Sequence, residues 1–104
     1  KILEDHDHSG EPEIHVHEHD LWLCVEGEPV FVVGGKLINQ EARQAESGQG
    51  VNSNEWKGTS IEGGREIKLN PGDMLWIPAG EPHMHSAHGV PARLMIIKIP
   101  VLKG

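Results

Sequence analysis

The chain has little cysteine, little positive charge and no long apolar run. Its single cysteine, Cys24, can form neither an internal disulfide nor a four-thiolate zinc site, and this agrees with a reducing cytoplasm. Nine basic residues against sixteen acidic ones give a net charge of −7, which opposes binding to nucleic acid or to an anionic membrane. The longest apolar runs, 21–25 and 30–33, fall far short of the ~20 residues that span a bilayer. We therefore expect a cytoplasmic protein with neither nucleic-acid nor membrane partners.

Glycine, by contrast, is abundant, with 13 residues among 104, and the apolar fraction is a modest 37%. This composition favours many short strands joined by turns over a helical bundle. The sequence from Val33 to Lys36 is typical of a tight hairpin, and 70–73, Asn-Pro-Gly-Asp, is typical of a turn. No segment shows a sustained helical period. We predict one all-β domain of eight to ten short strands, closed as a barrel or jelly roll.

Two segments stand apart from the strands in this interpretation. Residues 1–12 are polar after a short apolar start and are predicted to form an N-terminal arm or edge strand. Residues 41–60 are rich in Gln, Glu, Ser, Asn and Gly and are predicted to form a long surface loop. Trp56 would then be either an anchor of that loop or a lid over a pocket.

The unusual feature of the chain is its eight histidines. His15, His17 and His19 share strand parity, so their side chains would project to one face, with Cα atoms of successive members about 6.5 to 7 Å apart. Imidazoles at this separation can converge on one ion. Asp20 has the opposite parity and can join them only if the chain turns or bulges after His17. Three others, at positions 6, 8 and 88, are interpreted as solvated loop histidines.

The segment 71–83 reads Pro-Gly-Asp-Met-Leu-Trp-Ile-Pro-Ala-Gly-Glu-Pro-His. The Pro-x-Gly-x-Pro turn before His83 fixes where the next strand begins, which helps one side chain to meet others from a distant strand. His85 shares parity with His83. The segment resembles the second sequence motif of the cupin superfamily, in which G-x5-P-x-G-x2-H is followed by an Asn. Every fixed position matches except that Asn, where this chain has Ala87.

The first cupin motif, with two histidines, an acid and a glycine, resembles residues 10–27. His15-Val-His17 matches the paired histidines, and Asp20 with Gly27 matches the acid and the glycine. The chain departs from that motif in having Asp for Glu, a shorter spacing from His17 to Asp20, and its leading glycine one position closer. The resemblance covers nearly the whole chain from residue 10 onward.

This resemblance implies a cupin double-stranded β-helix, or jelly-roll barrel, with one divalent metal held by His15, His17 and His83 and by Asp20 as the carboxylate ligand. Strand parity leaves His19 as the alternative to Asp20. The ligand types suit Fe, Mn, Ni, Co, Cu or Zn and do not select among them. Five further residues are candidates for the pocket: His19, Trp22, Trp76, His85 and Arg93.

The function implied is that of a metal-dependent enzyme of the dioxygenase, isomerase, lyase or decarboxylase type, acting on a small polar or carbonyl substrate. The alternatives are a non-catalytic module that binds metal or a small ligand such as a sugar or an acid, and a barrel whose site has decayed. Because cupins commonly pair their barrels, we also expect a homodimer.

Overall fold

A computed structural model describes residues 2–5, 11–44, 51–87 and 91–101. Over these ranges the protein is all-β, as predicted, and contains no helix, hence none that would cross a membrane. The strands in chain order are β1 Ile2–Asp5, β2 Glu13–His15, β3 Glu18–Glu26, β4 Val30–Val33, β5 Lys36–Ile38, β6 Glu41–Gln44, β7 Val51–Lys57, β8 Ser60–Glu62, β9 Arg65–Lys68, β10 Met74–Ile77, β11 His83–Ser86 and β12 Ala92–Pro100.

The strands form two large antiparallel sheets of the jelly-roll type and one small sheet. The four-stranded sheet has the order β1-β12-β3-β10, the six-stranded sheet has the order β6-β7-β2-β11-β4-β9, and β5 pairs with β8. Strand β1 lies at an edge of the four-stranded sheet, where it pairs with β12. Strands β2 and β3 are close in sequence but belong to different sheets, so the chain crosses between sheets just after His15.

The core lies between the two large sheets. Burial alternates along β3, where every second residue from Asp20 to Cys24 is buried, as expected for a strand with one face on a core. Leu94 and Ile96 of β12 continue the same inner face, and Phe31 of β4 faces them from the other sheet. The alternation decides which side chains of β3 point inward, and Asp20 is among them.

The structure differs from the long surface loop expected over 41–60. Strand β6 and strand β7 pair with each other there, and β7 also pairs with β2. Polar side chains do not prevent this, because the hydrogen bonds that pair strands join backbone groups. Trp56 lies within β7, half-buried and opposite Ile14.

The double glycine at 34–35 does not make the predicted hairpin. Strand β4 pairs with β9 and strand β5 pairs with β8, so the two strands do not pair with each other. Val33 lies opposite Arg65 and Lys36 lies opposite Glu62. Gly35 has φ of +76°, and a Cβ there would lie 2.4 Å from the Glu62 carbonyl oxygen. The glycines thus allow a kink where the chain leaves the six-stranded sheet at β4 and enters the two-stranded sheet at β5.

The two predicted turns after β9 and β10 are both present. In the first, the Asp73 N–H donates to the Asn70 carbonyl at 2.9 Å, and Gly72 supplies a φ of +94°. In the second, the Gly80 N–H donates to the carbonyl of His15 at 2.8 Å. This second turn is therefore tied directly to the end of β2, and it delivers His83 beside His15.

Candidate metal centre

Three side chains gather where β2 and β11 run side by side. Ligand atoms of Glu13, His15 and His83 all lie within 4.8 Å of one another. Glu13 Oε1 is 3.0 Å from Nε2 of His15 and 3.4 Å from Nε2 of His83, and the two rings have centroids 5.2 Å apart. Both histidines are buried. Among the residues that the structure describes, these three form the only such group of metal-ligand type.

Asp20 reaches the same place from the opposite sheet. Its carboxylate is 1% exposed, and Oδ2 lies 3.4 Å from His83 Nε2 and 4.0 Å from His15 Nε2. The chain bends at 16–17, and that bend turns Asp20 toward the histidines despite its unfavourable parity. Two carboxylates therefore flank the pair of imidazole nitrogens, one from each sheet.

The proton on His83 is assigned by its backbone contact. Nδ1 of His83 lies 3.0 Å from the Glu81 carbonyl oxygen, which can only accept, so Nδ1 carries the proton. In the neutral ring Nε2 then offers a lone pair toward the Asp20 carboxylate, which also only accepts. Both His83 Nε2 and Asp20 Oδ2 are buried and have no hydrogen-bond partner among the described residues. Two buried acceptors that face each other repel unless a proton or a metal ion lies between them.

His15 is held between two carboxylates. Nδ1 lies 2.9 Å from Glu55 Oε1, at ion-pair distance although not in good hydrogen-bond alignment, and Nε2 faces Glu13. Burial lowers the pKa of His15, but the hydrogen bond to Glu13 and its charge outweigh burial, and the pKa lies above its ordinary value. Burial likewise raises the pKa of Glu13, yet the hydrogen bond from His15 and the positive charge of that ring outweigh burial and bring the pKa well below its ordinary value. A metal ion binding here would displace the proton of His15.

Lys98 of β12 brings one positive charge to the centre. Lys98 lies opposite Asp20 in the sheet, and its Nζ donates to Asp20 Oδ1 at 2.9 Å. The same ammonium is 3.2 Å from His15 Nε2. Because an ammonium only donates, this second contact is attractive only when that ring nitrogen carries no proton.

The structure brings together three of the four predicted ligands. His15, Asp20 and His83 converge, whereas His17 is exposed in the bend and stands outside the cluster. The prediction paired His15 with His17 on one strand, but β2 ends at His15 and the alternation stops there. Glu13, two residues before His15 on the same strand face, takes the expected place of His17. Its parity with His15 was the signal that would have identified it.

Three of the predicted pocket residues lie away from the cluster. His19 accepts a hydrogen bond from the Ala79 N–H and packs against Trp76, with ring centroids 5.0 Å apart. Trp76 itself is 47% exposed on the outer face of its sheet. Arg93 lies toward the opposite end of β12 from Lys98 and is 3.6 Å from Glu26. Strand register, which the sequence does not fix, determines where these three side chains lie.

The other two pocket candidates, Trp22 and His85, lie on the strands that carry Asp20 and His83. Trp22 follows Asp20 by two residues and His85 follows His83 by two, so each shares the inner face of its strand. Their ring centroids are 5.0 Å apart, and His85 stacks on Phe31 at 5.3 Å. Trp22, His85 and Phe31 therefore form one aromatic group, two residues along the strands from Asp20 and His83.

Comparison with known proteins gives a fold and no family. No family model matches the chain, and no curated protein matches it. Peruvianin-I, a cysteine peptidase from Thevetia peruviana latex, matches with a TM-score of 0.60 and 18% identity over 99% of this chain and 49% of that chain. A hydroquinone 1,2-dioxygenase from Sphingomonas sp. TTNP3, with 4-hydroxybenzoate bound, matches with a TM-score of 0.59 and 16% identity over 97% of this chain and 58% of that chain. These similarities show the all-β fold, and the chain spans only about half the length of these proteins.

Proposed function

We propose that this chain is a cupin-type metal-binding domain and that it acts as a metal-dependent enzyme on a small polar or carbonyl substrate. The metal would be held by His15, His83 and Glu13, with Asp20 as the second carboxylate. The observation that carries the proposal is the pair of buried acceptors, His83 Nε2 and Asp20 Oδ2, that face each other at 3.4 Å. Such a pair repels unless a proton or a metal ion lies between its members.

The charge balance of the centre supports a divalent ion. Three carboxylates, those of Glu13, Asp20 and Glu55, lie within 4.0 Å of a histidine nitrogen of the cluster. The Lys98 ammonium offsets one of these negative charges. With neutral imidazoles, two negative charges are left, and one divalent cation compensates them. Buried charge without compensation is costly, so this balance favours Fe, Mn, Ni, Co, Cu or Zn in their divalent states.

The chemistry available at the centre follows from these side chains. A divalent ion bound there would act as a Lewis acid on a substrate oxygen. Glu13 lies close enough to both imidazoles to hold a proton beside the reacting group. Lys98 is 35% exposed, so its ammonium lies between solvent and the centre and can orient an anionic oxygen that enters from outside. The dioxygenase among the similar structures makes dioxygen-dependent chemistry the first reaction class to screen.

Thiol catalysis, by contrast, finds no support in the residues. Cys24 is buried in the core, and its Sγ lies 3.6 Å and 3.5 Å from the carbonyl oxygens of Glu26 and Gly27. Burial raises the pKa of the Cys24 thiol, the opposite of what a nucleophilic thiolate needs. The likeness to a cysteine peptidase therefore extends to the fold and not to a mechanism.

The test is elemental analysis and titration calorimetry on protein purified without an affinity metal. The parent should hold about one equivalent of a divalent transition metal, or take it up after dialysis against each candidate ion. His15→Ala and His83→Ala should lose it, and the matched variant His17→Ala should keep it, because His17 is exposed outside the cluster. A parent that binds none of the ions would refute the proposal, and equal losses in all three variants would refute the ligand assignment.

A further inference from the structure

A cavity of about 250 Å³ opens on the six-stranded sheet, and none of the proposed metal ligands lines it. Its lining residues belong to β6, to the end of β7, and to the short segments before β2, after β5 and after β7. They are Glu11, Asn39, Glu41, Lys57, Gly58 and Thr59. At about 30 Å³ for each water molecule, the cavity has room for about eight waters or for one small organic molecule.

Strand register places this cavity next to the metal centre. Glu55 lies opposite His15 across β7 and β2, and Lys57 lies opposite Glu13. Opposite residues of antiparallel strands project to the same face, and so do residues two apart in one strand. Because Glu55 reaches the His15 ring at 2.9 Å, this face of β7 is the one that carries the centre, and Lys57 continues it. Glu41 lies opposite Lys57 on the other side, so the cavity extends the metal centre along one sheet face.

Hydrogen bonds fix one wall of the cavity. The Gly58 N–H donates to the Pro12 carbonyl at 3.0 Å, and the Thr59 N–H donates to the Ile38 carbonyl at 2.9 Å. The Asn39 side-chain amide donates to Thr59 Oγ1 at 3.0 Å. A Cβ at Gly58 would lie 2.5 Å from the Ile38 carbonyl oxygen, so a larger residue does not fit there. This wall is therefore formed before any ligand arrives, which lowers the cost of binding.

The lining is polar and carries charges of both signs. Lys57 Nζ lies 3.3 Å from Glu41 Oε1 and 4.0 Å from Glu11 Oε1, so two carboxylates and one ammonium leave a local charge of −1. This balance and the net charge of −7 oppose an anionic ligand, and the ammonium opposes a cationic one. None of the six lining residues is aromatic, which disfavours a flat apolar ring. Hydroxyl groups, which both donate and accept, match carboxylates and an ammonium alike.

We infer that this cavity binds a neutral, polyhydroxylated small molecule of the polyol or sugar type. In one respect the inference rests on the proposed function, since the molecule would then be the substrate, with its hydroxyl-rich part in the cavity and another oxygen at the metal. Lys57 would donate to one hydroxyl and Glu41 would accept from a neighbouring one. These two side chains would select the substrate without touching its reacting atoms.

The experiment is a titration of the full, isotope-labelled chain with xylitol, a neutral polyol, followed through the NMR signals of the backbone amides. It is run once on chelator-treated protein and once on protein loaded with diamagnetic zinc. The amides of Gly58 and Thr59 should show saturable shifts. Lys57→Met should weaken binding about tenfold or more, because it removes a hydrogen bond to a charged group. The matched Lys68→Met removes the same charge from a lysine paired with Glu28 outside the cavity, and it should bind xylitol like the parent.

The amide spectrum also shows whether a variant is folded. If Lys57→Met is unfolded, Glu41→Gln replaces it, at an edge-strand position that is 67% exposed. A parent without saturable shifts at Gly58 and Thr59 overturns the inference, and so does equal binding by the parent and the folded cavity variant. Tighter binding of inorganic phosphate than of xylitol overturns the ligand class.

The two proposals can fail separately. Saturable binding of xylitol by a protein that takes up no divalent ion supports the cavity site and refutes the metal-dependent function. Metal uptake without xylitol binding overturns the cavity site and leaves the metal centre in place.

Discussion

The assignment of Glu13 as a ligand in place of His17 can be tested by the neutral substitution Glu13→Gln. Structural metal sites with four ligands contribute about 10 to 16 kcal/mol, or about 3 kcal/mol for each ligand. A loss of about 3 kcal/mol weakens metal binding about a hundredfold. The change removes the charge that lies 3.0 Å from His15 Nε2 and 3.4 Å from His83 Nε2. The glutamine keeps nearly the same shape.

The effect can be measured as a loss of metal-induced thermal stability. At a metal concentration of about 100 Kd the parent gains about 2.7 kcal/mol of unfolding free energy. At the same concentration a variant with a hundredfold weaker Kd gains only about 0.4 kcal/mol. For a domain of this size the difference of about 2.3 kcal/mol corresponds to about 10 °C in Tm. The assay is circular dichroism with and without the ion that elemental analysis identifies.

The matched control is Glu11→Gln, which removes an exposed carboxylate two residues earlier. Its metal-induced shift should equal that of the parent. If Glu13→Gln keeps the full shift while His17→Ala loses it, the structural assignment of the ligands is wrong and the pairing expected from the sequence is right. If both variants keep the full shift, neither Glu13 nor His17 is a ligand, and the ion would be held by His15, His83 and Asp20.

The remaining predictions concern the groups around the ligands. Lys98→Met should lower the unfolding free energy of chelator-treated protein, measured in urea, by about 1 to 3 kcal/mol, because Asp20 loses its ammonium partner. The loss is smaller than for a fully buried pair, because Lys98 is 35% exposed. Added metal should restore part of it, and unchanged stability would contradict the pairing. Glu55→Gln should weaken metal binding about 10- to 100-fold in calorimetry by releasing the His15 ring, and an unchanged Kd would show that the 2.9 Å contact does not orient that ring. Because the pKa of Glu13 is lowered in the folded state, its stabilising effect is present above the ordinary value of 4.5 and declines as the pH falls below it. Urea unfolding of chelator-treated protein should show this decline, and Glu13→Gln should reduce it.

Sequence reasoning reached the fold and three of the four candidate ligands, for different reasons. Turn residues and strand alternation act locally, so the turn at 70–73 and the strands around it were predictable. His83 was identified by the motif that precedes it, and His15 by its position in the first motif. Asp20 required a bend that parity alone did not predict, and the crossing between sheets supplied that bend.

The parts that were missed depend on which strands are neighbours. Glu55 lies opposite His15 because β7 pairs with β2, and that pairing falls in a segment expected to be a loop. Lys98 lies opposite Asp20 through the register of β12 with β3. Register is set by long-range pairing and shifts every side chain to the other face when it moves by one residue. The exposed position of Trp76 has the same origin.

The candidate ligands come from both halves of the sandwich: Glu13, His15 and His83 from the six-stranded sheet, and Asp20 from the four-stranded sheet. An ion held by all four would cross-link two layers that otherwise adhere through apolar packing. Separation of the layers would then require ion release, so metal loading would act mainly on the unfolding rate. We therefore expect the metal-loaded protein to withstand proteolysis for longer than its gain in equilibrium stability alone would predict. Metal occupancy would then determine how long each molecule survives.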